Sequence, residues 1–364
     1  MKNKIMIKQI PYILIAIFLI IQGCKDSGVD VIPVKDPRTY TWTADTLAYP
    51  GSVQTLMYDI WGSSPKDVYA VGHNNRSLGV MWHYEGSKWT DVELNYPFQG
   101  GNIAGAISVE AIYGISANNI YAVGYHISNS NVHTSMVLHY NGTVWTEENL
   151  PSLGGWLNTV YGTSGSNVWA GGQDALYHFN GSKWTRDSIL VSVPIGGIFQ
   201  YNSINSANGN FFAIGYTDNR KGVLGQYFFK EQSSKFMSVD SFQITNPGSI
   251  IKFGNTLWAS KNGTLYSVGH KGVYKYTGSS WVNIFQTTYF LSGIFGIDDN
   301  NIFVVGHFGQ AYHFNGADWL DITPKLNKDT GTLYQAVWTE GTEAFILEIP
   351  LTGFPQKTVV WHGK

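Results

Sequence analysis

One short pattern that returns along the chain constrains its fold more than any other feature of the sequence. Seven copies follow one another at spacings of about 37 to 53 residues, and a repeat of this length is typical of a four-stranded β-propeller blade. The clearest copies are DIWGSSPKDVYAVGH (59–73), AIYGISANNIYAVGY (111–125), TVYGTSGSNVWAGGQ (159–173) and GIFGIDDNNIFVVGH (293–307). Trp338 holds the first aromatic position of a further copy, and the two weaker copies are SINSANGNFFAIGY (203–216) and LWASKNGTLYSVGH (257–270).

Each copy predicts four antiparallel strands. The run Val-Tyr-Ala-Val at 68–71 is apolar without alternation, which indicates a strand covered on both faces. Residues 91–94 alternate Asp-Val-Glu-Leu, as an outermost strand with one wet face does. The Asn-Gly pairs at 141–142 and 180–181 predict two-residue hairpin turns between the third and fourth strands, because both turn positions need positive φ. We therefore expect an all-β, seven-bladed β-propeller over residues 39–364.

The N-terminal and C-terminal segments are predicted to supply the strands of one blade together. The seventh copy stops at VVWHGK (359–364), where its fourth strand is due. The missing strand is found at the other end, because residues 39–52 parallel the fourth-strand segment at 87–100. The sequence therefore predicts that Trp42 and its neighbours complete the last blade beside the C-terminal strand and close the ring.

The repeat WGSSPxDVYAVG…HYxGxxW resembles that of bacterial lipoprotein β-propellers and is similar in look to kelch and Asp-box (BNR-like) propellers. The resemblance covers residues 39–364 and implies the fold, with no fixed function attached to it. An Asp-box places its acidic or Asn residue five positions before Trp, whereas Asn141 stands four positions before Trp145. Sialidase-type chemistry is therefore not implied.

The first 38 residues predict export and a lipid anchor. Lys2, Lys4 and Lys8 precede the apolar stretch 10–21, which is too short to span a bilayer and suits a signal peptide over residues 1–23. Cys24 is the only cysteine and follows Ile-Gln-Gly, which resembles a bacterial lipobox, so we expect its lipidation. Residues 24–38 then form a flexible tether, and we expect a monomer on the outer membrane, with exposure at the cell surface as an open alternative.

Two repeated positions are expected to be structural. The histidines before the third-strand aromatic predict packing or a hydrogen bond to the next blade, and they are His83, His139, His178 and His313. The glycines after the first-strand aromatic are expected where strands crowd together, and they are Gly62, Gly114, Gly162 and Gly296.

A candidate binding site follows the glycine that ends the second strand. In a propeller, the loops after the second and fourth strands emerge on one face, around the central channel, and loops on a rigid scaffold often carry function. We name this the loop face. Long loops at 95–105, with Tyr96 and Phe98, and at 149–156 belong to it. The candidate ligand-binding residues are His73, Tyr125, His126, Trp156, Tyr216, His270 and His307.

The composition and motifs of the sequence argue against several classes of partner and cofactor. Charged residues make up 13% of the chain and the net charge is −2, so a nucleic-acid partner is not expected. The sequence contains no nucleophile elbow, phosphate loop, HExxH or EF-hand pattern, so no cofactor or metal is expected, and a zinc site from His73, His270 and His307 would join blades that are not all adjacent.

Three functions stay open. Aromatic platforms beside neutral polar groups favour a non-catalytic module that binds a glycan or a protein partner. A glycan hydrolase or lyase would need paired carboxylates or a His/Tyr set at the mouth, and the candidate positions offer few Asp or Glu. A structural scaffold in an envelope assembly is the third hypothesis.

Overall fold

The computed structural model describes residues 35–364 except 77, 95–96, 99–100, 103–105, 129, 131, 153, 194, 220–221, 245–250 and 327–330. The predicted signal peptide, Cys24 and most of the tether lie outside the described residues. The end of the tether contacts the sheets: Asp36 precedes a 3₁₀ helix at Pro37–Thr39, and Arg38 pairs with Asp318 at 2.9 Å. A second 3₁₀ helix lies at Thr323–Lys325, and no helix of the described residues is long and apolar enough to span a membrane.

Antiparallel β-strands account for nearly all of the regular structure. In the first half of the chain the strands are β1 (Trp42–Leu47), β2 (Gln54–Ser64), β3 (Asp67–Asn74), β4 (Met81–Tyr84), β5 (Trp89–Asp91), β6 (Pro97–Phe98), β7 (Gly101–Asn102), β8 (Ala106–Ser116), β9 (Asn119–Ile127), β10 (His133–Tyr140), β11 (Trp145–Glu147), β12 (Trp156–Ser164), β13 (Asn167–Gln173), β14 (Ala175–Phe179) and β15 (Trp184–Arg186). In the second half they are β16 (Ile198–Ala207), β17 (Asn210–Asp218), β18 (Val223–Gln232), β19 (Lys235–Gln243), β20 (Thr256–Ala259), β21 (Leu265–Gly269), β22 (Gly272–Tyr276), β23 (Trp281–Phe285), β24 (Leu291–Asp298), β25 (Asn301–Gly306), β26 (Ala311–Phe314), β27 (Trp319–Asp321), β28 (Thr332–Thr339), β29 (Ala344–Pro350) and β30 (Gln356–Gly363).

Apart from the small β6–β7 hairpin, the described strands fall into successive sets of four. The sets, numbered in this order, are β2–β5, β8–β11, β12–β15, β16–β19, β20–β23, β24–β27 and finally β28, β29, β30 with β1. The last set contains the pairing that the sequence predicts between its ends, because β1 runs antiparallel to β30 with Trp42 opposite Gly363 and Leu47 opposite Thr358.

The first strands of consecutive sets contact one another, and β28 also contacts β2. The glycine after the first-strand aromatic lets these strands approach. A Cβ on Gly114 would lie 2.2 Å from the Trp61 ring of set 1, and a Cβ on Gly62 would lie 2.9 Å from the Trp338 ring of set 7. The predicted crowding is therefore real at these glycines, and its cause is an indole ring of the preceding set.

The glycine that ends the second strand has a different cause. In six of the described sets the first strand carries a one-residue irregularity in its pairing, as between Met57 and Asp59 or between Val109 and Ala111. Opposite this bulge the two backbones come close, and a Cβ on Gly124 would lie 1.9 Å from the Ser108 carbonyl oxygen. Glycine occupies this position in five of the six bulged sets, whereas set 7 has Glu348 there, opposite Tyr334.

An aromatic ring of each second strand faces a His or Lys of the third strand. Tyr69 stacks on His83 with ring centroids 4.1 Å apart, and the His83 ring also bonds Asp67 at 2.7 Å. The cross-strand pairs are Tyr69–His83, Tyr121–His139, Trp169–His178, Phe212–Lys230, Tyr266–Lys275, Phe303–His313 and Phe345–His362. The structural role predicted for the histidines is confirmed, but the hydrogen bond goes to the same set, not to the next one.

The next set covers the other side of this aromatic ring. Trp145 of set 2 meets Tyr69 edge-on at 5.9 Å, and Trp184 of set 3 meets Tyr121 edge-on at 6.1 Å. Trp89 of set 1 meets Phe345 of set 7 in the same way at 6.3 Å. Edge-on aromatic pairs contribute about 0.5–1.5 kcal/mol each beyond the burial of their area, so they join neighbouring sets with a fixed geometry.

The pairing of β1 can be tested by its buried residue. Leu47 is 1% exposed, whereas the neighbouring Thr46 is exposed. We expect Leu47→Ala to lower the free energy of unfolding by about 2–5 kcal/mol, because it leaves a cavity beside β30. Urea unfolding followed by tryptophan fluorescence measures this, and Thr46→Ala is the matched control. Equal stability of the two variants would contradict the packing of β1.

Candidate functional site

The predicted site residues lie where a second strand ends and the first strand of the next set begins. His73 bridges to Ser108, and His307 bridges to Leu333. The Tyr125 and Trp156 rings lie 5.8 Å apart, and the His270 and Phe290 rings lie 4.9 Å apart. The same contact therefore recurs between sets 1 and 2, 2 and 3, 5 and 6, and 6 and 7, and it places these residues along one face of the molecule.

Three rings form an aromatic cluster between sets 2 and 3. The ring of His133, at the start of β10, lies 4.8 Å from the Tyr125 ring and 5.0 Å from the Trp156 ring. All three side chains keep part of their surface exposed. Tyr125 and Trp156 were predicted site residues, whereas His133 stands outside the repeat pattern and was missed.

A carboxyl group lies beside this aromatic cluster. Glu110 occupies the bulge of β8, and the Ser108 hydroxyl donates a hydrogen bond to its Oε1 at 2.5 Å. Burial raises the pKa of Glu110 above its ordinary value, although the Ser108 bond opposes this shift. Burial raises the pKa values of Tyr58 and Tyr125, and the charge of Glu110 raises them further.

Asp59 is a second carboxyl that sequence reasoning missed. Its Oδ1 accepts the Ile60 N–H, and its Oδ2 accepts the Ile112 N–H of set 2, each at 2.9 Å. Burial outweighs these two bonds and raises the pKa of Asp59 from 3.8 to about 7. Thr159 and Ser203 each accept a backbone N–H of the following set in the same way. The side chain at this position of the first strand therefore links the first strands of neighbouring sets. The sequence signal for Asp59 and Glu110 was a lone acid inside an apolar first strand.

Sets 5 to 7 carry an apolar patch on the same face. The Tyr289 and Phe308 rings lie 4.6 Å apart and are each 47% exposed, and Phe308 has a φ of +57°. The Gly309 N–H bonds the Thr332 carbonyl and the Leu351 N–H bonds the Gly331 carbonyl, so the residues after Phe308 and the loop of Leu351 both join the start of β28. Leu351 and Phe354 of this loop are 45% and 74% exposed. We call Tyr289, Phe308, Leu351 and Phe354 the apolar patch.

Two predicted histidines lie against this patch. Phe290 packs edge-on against His270 at 4.9 Å and against His307 at 5.2 Å. Burial lowers the pKa of both imidazoles, and His307 lowers that of His270 further. The pKa of His73 is lowered by burial as well. These rings are therefore neutral at pH 7 and offer hydrogen bonds, not charge.

The other predicted residues are placed differently. Tyr216 donates a hydrogen bond to Gln200 of the same set at 3.0 Å. His126 is buried, and its Nε2 lies 3.2 Å from Oε1 of Glu147, whose side chain is also buried. This contact lies on the opposite side of β9 from Tyr125 and ties β9 to β11, so His126 is not part of the aromatic cluster. Tyr96 lies outside the described residues, as does the side chain of Phe98.

A metal site and a groove are two other places where a ligand could bind. No three His, Cys, Asp or Glu side chains come together as a metal site in the described part of the chain. A groove of about 300 Å³ lies between sets 1 and 2, among Tyr69, His83, Tyr140 and Trp145. It contains none of the predicted site residues, because it lies beside the structural His–Tyr stack.

The comparisons with known proteins show the fold. No protein-family model matches the chain, and no curated protein is similar to it. The structure of YCF48 bound to D1 peptide matches at 14% identity with a TM-score of 0.58, over 90% of this chain and 97% of that one. The extracellular domain of BT4673 from B. thetaiotaomicron matches at 10% identity and 0.58, over 88% of this chain and 39% of that one. The WD40 β-propeller domain of Doa1 matches at 9% identity and 0.56, over 89% and 96%. The chain therefore has a β-propeller fold.

The raised pKa of Asp59 predicts a pH dependence of stability. A carboxyl with a folded pKa near 7 and an unfolded pKa near 4 favours folding below pH 4 and loses this contribution as pH rises to 7. We expect the unfolding free energy of the wild type, minus that of Asp59→Asn, to fall by about 1–3 kcal/mol between pH 4 and pH 8.

The measured quantity is the change with pH of the difference in unfolding free energy between the wild type and Asp59→Asn. The asparagine amide can accept only one of the two N–H groups, which costs a similar amount at every pH. Asp45→Asn, at an exposed position of β1, is the matched control. A difference between wild type and Asp59→Asn that stays constant with pH would show that Asp59 is ionised in the folded protein throughout.

Proposed function

We propose that this protein is a closed seven-bladed β-propeller, anchored to the outer membrane through a lipid on Cys24, that binds a polypeptide partner on its loop face without catalysing a reaction. The apolar patch carries the proposal. Large apolar side chains that stay half exposed next to one another are typical of an interaction surface. Aromatic anchors of this kind supply most of the binding energy in protein interfaces.

Phe308 strengthens the argument. A φ of +57° is unfavourable for a residue with a β-carbon, and backbone strain of this kind costs about 1–3 kcal/mol. The Phe308 ring meanwhile keeps 47% of its surface exposed, so burial of the ring does not offset this strain. Presentation of the ring to a partner would explain why the strain is kept. The structure of YCF48, a propeller of similar fold, bound to D1 peptide agrees with a polypeptide ligand.

Seven blades and ring closure are supported by contacts between the first and last sets. Trp338 covers Gly62, Trp89 covers Phe345, and Thr358 accepts the Met57 N–H at 2.8 Å. These contacts repeat those found between other consecutive sets. With β1 in the last set, all seven sets have four strands, as a closed propeller requires.

A glycan-degrading enzyme is the second candidate, and Asp59 with Glu110 is the observation that favours it. A glycosidase needs one carboxyl as an acid and a second as a base or nucleophile. Asp59 already accepts a backbone N–H with each of its oxygens, which suits a structural role better than a catalytic one. Binding therefore fits the geometry better than hydrolysis.

The apolar patch is tested by removing its two contacting rings. We expect Tyr289→Ala/Phe308→Ala to bind an envelope protein partner at least 10-fold more weakly than the wild type, since hot-spot aromatics contribute about 2 kcal/mol or more. The partner is captured from envelope extract on the secreted Cys24→Ser chain, and its Kd is then measured by surface plasmon resonance.

Val144→Ala is the control for this experiment, because Val144 is 50% exposed in the β10–β11 turn at the other end of the sheets. Circular dichroism melting shows whether each variant is folded. Equal Kd values for the wild type and the double variant would contradict the choice of surface. Binding of a purified glycan on an array, lost in the double variant, would replace the polypeptide by a glycan.

The anchor is tested separately. We expect the full chain, expressed in a Gram-negative host, to fractionate with membranes, and Cys24→Ser to appear in the soluble fraction because it has no thiol to acylate. Gly23→Ala keeps a small residue before the cysteine and is the matched control. Recovery of Cys24→Ser in the membrane fraction would argue against lipidation as the anchor.

A further inference from the structure

We propose that Glu110 and the rings of Tyr58, Tyr125 and Trp156 form a subsite for one cationic side chain, lysine or arginine, of the bound polypeptide. This inference rests on the proposed function, and it names a second contact on the loop face, between sets 1, 2 and 3. The apolar patch would hold the apolar part of the partner, and this subsite would fix its register.

Among the described residues, Ser108 is the hydrogen-bond partner of the Glu110 carboxyl. Ser108 bonds Oε1, and in the described part of the chain no Lys, Arg or His lies within ion-pair distance of Glu110. The side chain is only partly exposed, so water solvates the charge poorly. A carboxylate accepts up to four hydrogen bonds, which leaves the second oxygen for a ligand.

The surrounding rings suit a cation. Tyr125 pairs with Ser108, which donates the hydrogen bond to Glu110, and the Tyr125 ring lies 5.8 Å from the Trp156 ring. Tyr58 is the bulge residue of set 1, the position that Glu110 holds in set 2. The faces of Trp and Tyr attract an ammonium or guanidinium group by about 0.5–2 kcal/mol, more when water is excluded. Aromatic faces and a carboxylate therefore act on the same ligand group with the same sign.

The negative charge of Glu110 distinguishes a cationic ligand from a neutral one. Burial disfavours the ionised form of Glu110, as the direction of its pKa shift shows. A bound cation would compensate the buried negative charge, whereas a neutral sugar or amide would leave most of the desolvation cost in place. The site therefore favours lysine or arginine over a neutral glycan.

The repeat supplies an internal comparison. The equivalent bulge residues in other sets are uncharged, and they are Tyr58, Asn158, Asn202, Ser292 and Gln335. The bulge forms with all of these side chains, so the fold itself does not require a carboxylate at this position. A charge that only set 2 carries is better explained by a ligand than by the scaffold.

The test uses three short peptides that differ in one side chain: acetylated, amidated GGKGG, GGRGG and GGQGG. Binding is followed by NMR through the indole N–H signal of Trp156, assigned with Trp156→Phe. We expect the lysine and arginine peptides to bind at least 10-fold more tightly than the glutamine peptide, and Glu110→Gln to abolish this preference.

Glu110→Gln has the same shape as the wild-type side chain and removes a buried charge, so the variant is expected to fold; its melting temperature checks this. Glu93→Gln, at an exposed position, is the control and should keep the preference. Equal binding of the lysine and glutamine peptides, or a preference that survives in Glu110→Gln, would overturn the proposal. So would a neutral glycan that shifts the Trp156 signal and loses affinity in Glu110→Gln.

The two proposals fail in different ways. If Tyr289→Ala/Phe308→Ala loses the envelope partner while Glu110→Gln keeps both the partner and the peptide preference, the loop face binds a polypeptide and the cationic subsite is wrong. If the partner binds all variants equally, the proposed surface itself is wrong.

Discussion

The packing around the aromatic ring at the centre of each second strand is the interaction on which the rest of this molecule depends. A His or Lys of the same set stacks on one side of it, and in several sets a Trp of the next set meets its edge. One ring thereby fixes both the pairing inside a set and the packing between two sets. Because the ring has flat faces and a defined edge, each contact sets an angle as well as a distance.

The contact has the same form where the chain ends meet. Phe345 stacks on His362 at 4.1 Å and receives Trp89 of the first set edge-on. The aromatic ring of the last set, which contains the N-terminal strand, is therefore packed in the same way as those of the other sets. His362 also bonds Glu343, which stands two residues before Phe345, as Asp67 stands two residues before Tyr69.

This rigid frame leaves the bulges and loops at one end of the sheets to carry the binding surface that we propose. The bulges and the glycines opposite them bring the end of a second strand against the first strand of the next set, so side chains from neighbouring sets share a surface. On one side of the loop face this surface holds a partly buried carboxyl among aromatic rings. On the other side it exposes four large apolar side chains. The polypeptide partner that we propose would carry a basic and an apolar residue to match both.

The sequence alone determined the strand content, the repeat, the pairing of Trp42 with the end of the chain and the structural role of the third-strand histidines. These features follow from the alternation of polar and apolar residues and from the turn residues, a pattern that recurs in seven copies along the chain. It also located the end of the sheets where Tyr125, Trp156, His270 and His307 meet their neighbours.

Only the tertiary structure decided which side chains at that end act together. His126 and Tyr125 are neighbours in sequence, but successive residues of a strand point to opposite faces, and His126 is buried against Glu147. Glu110 stands in a bulge, which breaks the alternation that a sequence argument relies on. Tyr58 and Trp156, which we propose act together with it, come from the sets on either side, and no local pattern encodes which face of one set meets the next.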